Sequence, residues 1–226
     1  MEKTIALIAV ISLTTLIAAC SSTPELASEP IPESGFLPDY SALVAVPTNV
    51  ADARIWRYRK PNVDPSQYTA VILDPIFLNQ AATKEVTAET IQKTKEALQT
   101  AMVKAVLDKG NMKIATESGP GVARISVGIT GAETSADGLG PWSFTPIGLA
   151  INGAAYVGGV NGKTPALVVE SKITDSQTNV LIGEGLVTVQ GESFRTNSGS
   201  LDSFIALAGK VVEVAVGSSA NPKLTE

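Results

Sequence analysis

Apolar residues alternate with polar ones in some stretches of this chain, as in strands, and recur at helical spacing in others. The order of these stretches predicts the order of strands and helices. Residues 53–61, ARIWRYRKP, alternate as a strand does. Residues 68–78, YTAVILDPIFL, are almost continuously apolar and predict a strand buried on both faces, with Pro75 at its end or at a bulge. Short apolar or alternating runs between turn residues predict four more strands, at residues 112–115, 122–130, 166–174 and 180–189.

Two stretches carry apolar residues at helical spacing. The first follows Thr87, a suitable N-cap, and ends near Lys109, before Gly110, which suits the left-handed conformation of a C-terminal cap. The second lies near the end of the chain, and its predicted apolar stripe consists of Leu201, Phe204, Ile205, Ala208, Val211, Val212 and Ala215. The apolar stripe of each helix must be buried against another apolar surface of the fold.

The last two predicted strands are joined by the sequence DSQTN, which is typical of a hairpin turn. Asp175 can accept local backbone hydrogen bonds, and Asn179 tolerates a positive φ. Strands that alternate with helices and then form a hairpin indicate an α/β fold. We predict a two-layer sandwich with a mixed or mainly antiparallel sheet and with helices packed on one face.

The beginning of the chain reads MEKTIALIAVISLTTLIAA and has the pattern of a secretory signal. Lys3 precedes an uncharged apolar run at residues 5–17, which is shorter than the ~20 apolar residues of a membrane-spanning helix. Ala18 and Ala19 are small, as the residues before a signal cleavage site are. We therefore predict a signal peptide over residues 1–19.

Cys20 is the only cysteine of the chain. It closes the sequence IAAC, which resembles the bacterial lipobox, so the resemblance implies lipid attachment at Cys20. Two or more acyl chains hold a protein on a bilayer. Ser21 follows the cysteine where an aspartate would favour retention in the inner membrane, so the resemblance also implies sorting to the outer membrane. The alternative is an ordinary signal peptide with an unrelated cysteine.

The composition after the signal divides the chain into a tether and one domain. Residues 20–34 are polar with three prolines, which predicts a flexible tether after the lipidated cysteine. Residues 35–220 predict a single periplasmic α/β domain, with an uncharged glycine-rich insert at residues 138–162. The net charge of −5 argues against a nucleic-acid partner, because such proteins present a basic face.

Four stretches together resemble a known family: SGFLPDYSAL, RYRKPNVDPSQYTAVILDPI, GPGVARISVGIT and DSQTNVLIGEGL. Their order and spacing are similar to those of the proteobacterial lipoproteins built on the domain of unknown function numbered 3313. The resemblance runs from about Ser34 to the final hairpin, and the glycine-rich insert departs from it. It implies secretion, lipidation and the fold class, and it implies no catalytic residue.

The sequence offers little catalytic chemistry. Histidine is absent, which removes the commonest general base and metal ligand, and no phosphate-binding, nucleophile or EF-hand motif occurs. We predict no enzyme activity, no metal and no cofactor. Asp74 is a candidate site residue because it follows a buried strand, where α/β folds place ligands. The alternative is that Asp74 and Pro75 end the strand and that Asp74 accepts loop N–H bonds.

A basic and aromatic stretch is the second candidate site, formed by Arg54, Trp56, Arg57, Tyr58 and Arg59. Guanidinium groups bind phosphates bidentately, so these side chains are candidates for contacting an anionic ligand or a glycan, such as lipopolysaccharide or peptidoglycan. The alternative is an edge strand that charge protects from pairing with other chains.

The uncharged insert is the third candidate. Ala150, Ala154 and Gly158 form a small-residue ridge if the segment is helical, which would allow close packing of another backbone. Three interpretations stay open: a helix packed on its own sheet, a subunit interface of a homo-oligomer, or part of an oligomeric pore.

These patterns predict a lipoprotein of the outer membrane, anchored by its acyl chains and facing the periplasm. Its predicted role is that of a non-catalytic binding or assembly module, with an envelope protein, peptidoglycan or lipopolysaccharide as partner. The alternatives are a self-assembling structural or pore subunit and an envelope enzyme that acts through carboxylates.

Overall fold

One mixed sheet of eight strands, two long helices and a single-turn 3-10 helix (Pro65–Gln67) are the regular elements in the described part of the chain. The computed structural model describes residues 33–83, 86–136 and 163–217. The helices are α1 (Ala88–Asp108) and α2 (Asn197–Gly217). The strands are β1 (Val44–Val46), β2 (Ala53–Arg59), β3 (Ala70–Leu73), β4 (Phe77–Leu78), β5 (Lys113–Ile114), β6 (Val122–Ala136), β7 (Lys163–Asp175) and β8 (Leu181–Gln190).

The strands lie in the order β1-β2-β8-β7-β6-β3-β5, and β4 pairs with β6 beyond the end of β3. The pairs on the β1 side of the sheet, as far as β6, are antiparallel, whereas β3, β4 and β5 join by parallel pairing. Both helices contribute to the main apolar core and pack against each other. The predicted two-layer α/β fold with a mixed sheet and helices on one face is therefore confirmed.

Local chemistry sets the ends of α1 as the sequence predicts. The Thr87 hydroxyl accepts a hydrogen bond from the Thr90 amide at 3.2 Å, which satisfies one of the free donors of the first turn. Gly110 follows the helix with φ +71°, the left-handed conformation that ends many helices. The turn between β7 and β8 is also confirmed, since Asp175 accepts the Thr178 amide at 2.8 Å and Asn179 has φ +57°.

The buried stripe of α2 is rotated from the predicted one. Leu207 and Val214 are 2% and 1% exposed and lie in the main core, although the sequence stripe omitted both. Ile205, which the stripe included, is 37% exposed. That assignment of Ile205 to the core is wrong, because residues 204, 207, 208, 211 and 214 form the row that faces the sheet.

A short segment of bends and turns covers part of the sheet face that lies away from the helices. We call residues 34–43 the strap. With two sheet residues it forms a second apolar cluster of Leu37, Tyr40, Leu43, Trp56 and Leu186. Trp56 and Leu186 alternate along their strands with core residues Ile55 and Val187, and successive side chains of a strand point to opposite faces.

The apolar run at residues 68–78 forms two short strands instead of one. β3 ends at Leu73, and β4 begins at Phe77. Both strands pair with β6, and Asp74 and Pro75 lie at the break. Pro75 lacks the N–H that a central ladder position needs, so the predicted role of Pro75 as the end of a strand is confirmed.

Some predictions concern residues outside the described ranges. The signal peptide, lipid attachment at Cys20 and the ridge of Ala150, Ala154 and Gly158 all fall there, and so they stay predictions. In the ranges that the structure describes, neither long helix has an apolar stretch that would allow it to cross a membrane.

Candidate functional site

A cleft of about 870 Å³, lined by both polar and apolar side chains, opens where the sheet meets α2. This volume is in the range of small-molecule sites. It lies beside the loop before β2, the start of β7 and the end of β8. Its lining residues are Ala51, Asp52, Thr164, Gln190, Gly191, Glu192, Ser193, Asp202, Ser203, Ala206, Leu207 and Lys210.

Hydrogen bonds between the surrounding elements hold the walls of this cleft. Lys210 extends from α2 and donates to the Gln190 carbonyl at 2.8 Å. The Gln190 amide in turn donates to the Asp52 carbonyl at 2.9 Å. The Thr164 and Ser193 hydroxyls, which also line the cleft, lie 2.9 Å apart. These contacts join α2 to β8, β8 to the loop before β2, and β7 to the loop after β8, so the cleft is a preformed feature of the fold.

Carboxylates dominate the charge of the cleft. Asp52, Glu192 and Asp202 line it with exposed side chains, and Lys210 supplies a single ammonium group. Hydroxyl and amide groups provide further hydrogen-bond donors and acceptors. Such a surface attracts a neutral, hydroxyl-rich or amine-bearing ligand and repels an anionic one.

Asp74 is held by two side chains of β6. Arg124 pairs with its Oδ1 at 2.6 Å, and the Ser126 hydroxyl donates to Oδ2 at 2.7 Å. Both members of the ion pair are partly exposed. In the described structure Asp74 accepts these side-chain bonds at the strand break, and it does not line the cleft. A ligand-binding role for Asp74 stays a prediction.

Replacing Asp74 with Asn tests that role. The change removes the carboxylate charge but keeps the shape of the side chain. We expect the free energy of unfolding, measured by urea titration, to fall by about 1 kcal/mol, the upper range for a partly exposed ion pair. We also expect no change in envelope phenotype. An altered phenotype in a stably folded variant would assign a functional role to the charge.

The basic and aromatic residues of β2 do not share one surface. Arg54, Trp56 and Tyr58 alternate with Arg57 and Arg59, so the two sets face opposite sides of the sheet. Trp56 is 4% exposed beneath the strap, and Tyr58 packs beside it. The predicted contact of these five side chains with an anionic ligand or glycan stays a prediction.

Arg57 instead contacts the end of α2. Its guanidinium donates to the Ala215 carbonyl in the last turn of that helix, where a positive charge stabilises the helix dipole. Burial lowers the pKa of Arg57, and the nearby Arg59 lowers it further. The alternative that β2 is an edge strand is wrong, because β1 pairs with its outer side.

Two buried glutamates escaped the sequence analysis. Glu170 on β7 is 0% exposed, and Glu184 on β8 is 4% exposed. Glu170 follows the apolar run ALVV of β7, and Glu184 is the single acid of β8, LIGEGLVTVQ. An acid next to apolar residues in a strand was the available signal. Glu170 accepts a hydrogen bond from the Tyr40 hydroxyl at 2.6 Å. Neither oxygen of Glu184 has a hydrogen-bond partner among the described residues.

Known proteins resemble this chain in sequence and in fold. The uncharacterized lipoprotein YdcL of Escherichia coli strain K12 is 26% identical over 184 residues, which cover 80% of this chain and 81% of YdcL. A PelC dodecamer from Paraburkholderia phytofirmans is 12% identical with a TM-score of 0.38 and covers 70% of this chain and 95% of its own. Lipoprotein GNA1162 from Neisseria meningitidis is 11% identical with a TM-score of 0.39 and covers 68% and 99%.

The family model described as "Protein of unknown function (DUF3313)" matches residues 32–215. This range includes the strap, all eight strands, α1 and nearly all of α2. The chain therefore belongs to the DUF3313 family.

Proposed function

We propose that this protein is a lipoprotein anchored in the outer membrane through Cys20, with a periplasmic domain that acts as a non-catalytic binding module of the cell envelope. The name of its E. coli relative, an uncharacterized lipoprotein, supports the anchor. The observation that carries the binding role is the preformed cleft between the sheet and α2, with its charged and hydroxyl side chains.

The charge of the cleft selects the class of ligand. Its three carboxylates disfavour phosphates, and its hydroxyl and amide groups suit a glycan. Among the envelope partners, peptidoglycan fits this chemistry better than lipopolysaccharide, because peptidoglycan presents sugar hydroxyls, acetamides and the free amines of its stem peptides, whereas lipopolysaccharide carries phosphates. Asp202, which lies on α2, is the side chain we assign to ligand contact.

Calorimetry with defined probes tests this proposal on the full-length protein in detergent. The probes are an amine-bearing chitosan tetrasaccharide, its N-acetylated counterpart and inorganic phosphate. We expect the wild type to bind the amine-bearing sugar more tightly than the acetylated sugar, with no measurable binding of phosphate. Asp202→Asn should weaken binding of the amine-bearing sugar about tenfold, since one charge-assisted hydrogen bond is lost.

The matched control is Asp108→Asn. Asp108 is another exposed helical aspartate, paired with Lys104 at 2.6 Å on α1, and it does not line the cleft. We expect this variant to bind the sugars as the wild type does. Equal binding by the two variants, or a preference for phosphate, would contradict the assignment of the cleft.

A further inference from the structure

Tyr40 makes a buried polar contact between the strap and the sheet, in addition to the apolar contacts of Leu37 and Leu43. The Tyr40 hydroxyl accepts hydrogen bonds from the amides of Ser34, Gly35 and Leu37 at 2.9–3.3 Å. The same hydroxyl donates to Oε2 of the fully buried Glu170 at 2.6 Å. Tyr40 thus closes the strap on itself and attaches it to β7.

An aromatic contact holds the beginning of the strap. Phe36 stacks on Phe77 of β4 with ring centroids 5.6 Å apart, and the Lys172 ammonium lies 4.9 Å from the centroid of Phe36. Gly128 of β6 makes this approach possible, because a Cβ there would lie 3.0 Å from the Phe36 ring. The strap therefore has a shaped seat on the sheet.

Glu184 is the buried group beside this seat for which the folded state provides no hydrogen bond. It lies on the strap face of the sheet, two residues from Leu186 of the second cluster. Tyr58 of β2 and Lys172 of β7 are the cross-strand partners of Glu184, and Glu170 of β7 is its diagonal neighbour. Asp39 of the strap acts on it as a like charge. Burying an ionised carboxylate without a partner is costly.

We propose that the strap is a releasable latch, closed when Glu184 is protonated and opened when Glu184 ionises. A neutral Glu184 is compatible with burial beneath the strap. An ionised Glu184 gains hydration when the strap leaves, and it is then separated from Asp39. Attraction between the Lys172 ammonium and an ionised Glu184 opposes opening. Among the described residues, however, these two side chains form no ion pair within 4 Å.

The sign of the pH dependence follows from the two states of Glu184. Burial raises the pKa of Glu184 in the closed state, Asp39 raises it further, and Lys172 lowers it. In the open state water reaches the carboxyl group, and its pKa returns towards the ordinary value of 4.5. The closed state therefore holds the proton more tightly, so closure is favoured below the ordinary pKa and is lost as the pH rises through the raised pKa.

Opening would change the reach of the domain from the membrane, a consequence that rests on the proposed lipid anchor. Leu43 leads directly into β1, so a released strap becomes part of the tether. Its ten residues would add up to about 30 Å of extended chain. The latch would thus adjust the distance between the bilayer and the domain.

Trp56 reports the state of the latch, because it is 4% exposed beneath the strap. Trp142→Phe leaves Trp56 as the sole tryptophan of the full-length protein. Acrylamide quenching of its fluorescence is then measured from about pH 4 to about pH 8. We expect quenching to rise with pH, because the ratio of open to closed strap increases up to about tenfold per pH unit for one released proton.

Three further substitutions, each made in the Trp142→Phe protein, test whether Glu184 controls the latch. Glu184→Gln should give low quenching at every pH, and the exposed Glu213→Gln on α2 should behave as the wild type does. Asp39→Asn, a surface change that keeps Glu184, should reduce quenching at a given high pH, and it tests the latch where Glu184→Gln fails to fold. A flat wild-type profile, or the same rise in Glu184→Gln, would overturn the latch. If the latch is overturned in this way, binding of the amine-bearing sugar by the same wild-type protein would show that the proposed binding function does not depend on the latch.

Discussion

Replacing Leu207 with alanine is expected to lower the free energy of unfolding by about 2–5 kcal/mol. Leu207 is 2% exposed and lies where α2 packs on the sheet. Its removal leaves a cavity that rigid neighbours on both layers cannot fill completely, and the cost increases with the volume of that cavity. Urea unfolding followed by circular dichroism measures the change.

Ile205→Ala is the matched control because it removes a side chain of similar size two positions away. Ile205 is 37% exposed, so its truncation should cost less than about 1 kcal/mol. The apolar stripe predicted from the sequence favours a larger loss of stability for Ile205→Ala than for Leu207→Ala, since it included Ile205 and omitted Leu207. A larger loss for Ile205→Ala than for Leu207→Ala would show that α2 packs with a different face.

Tyr40→Phe is expected to lower the free energy of unfolding by about 2–3 kcal/mol, although it removes a single oxygen atom. The variant leaves Glu170 fully buried without its hydrogen-bond donor, and three strap amides lose their acceptor. An unpartnered buried polar group costs more than the hydrogen bond contributed. The measurement is again urea unfolding, at about pH 4, where Glu184 is protonated and the strap is closed.

Tyr68→Phe provides the comparison for this variant. The Tyr68 hydroxyl also donates to a carboxylate, Asp175, at 3.2 Å, but that carboxylate lies in the turn and accepts other bonds. We expect a change within about 0.5 kcal/mol, as for most surface substitutions. Similar losses for the two variants would mean that Tyr40 does not hold the strap through Glu170.

Local signals in the sequence predicted much of the fold because each has a local physical cause. The Thr87 cap, the left-handed Gly110 and the hairpin turn at Asp175 depend on residues only a few positions apart. Alternation predicted the strands for the same reason. Spacing alone did not fix the face of α2, since Ile205 and Leu207 both fit an apolar stripe and the packing partner decides between them.

The candidate sites depend on contacts between distant segments, and here the sequence was less informative. The bond from Tyr40 to Glu170 joins residues 130 positions apart. The cleft combines loops and ends from four elements, and no motif marks its residues. Asp74 was noticed because of its position in the sequence, but its partners Arg124 and Ser126 became visible only through the parallel pairing of β3 and β6.

Crosslinking in native envelopes tests most directly whether this lipoprotein is a tethered binding module. The full-length acylated protein would be recovered beside Cys20→Ala, Asp202→Lys in the cleft and the control Asp108→Lys. A binding module predicts a specific crosslinked partner, protein or glycan, that is lost in Cys20→Ala and Asp202→Lys and kept in Asp108→Lys. Recovery of the same partners with Asp202→Lys, or of the protein alone at multimeric mass, would contradict binding through the cleft.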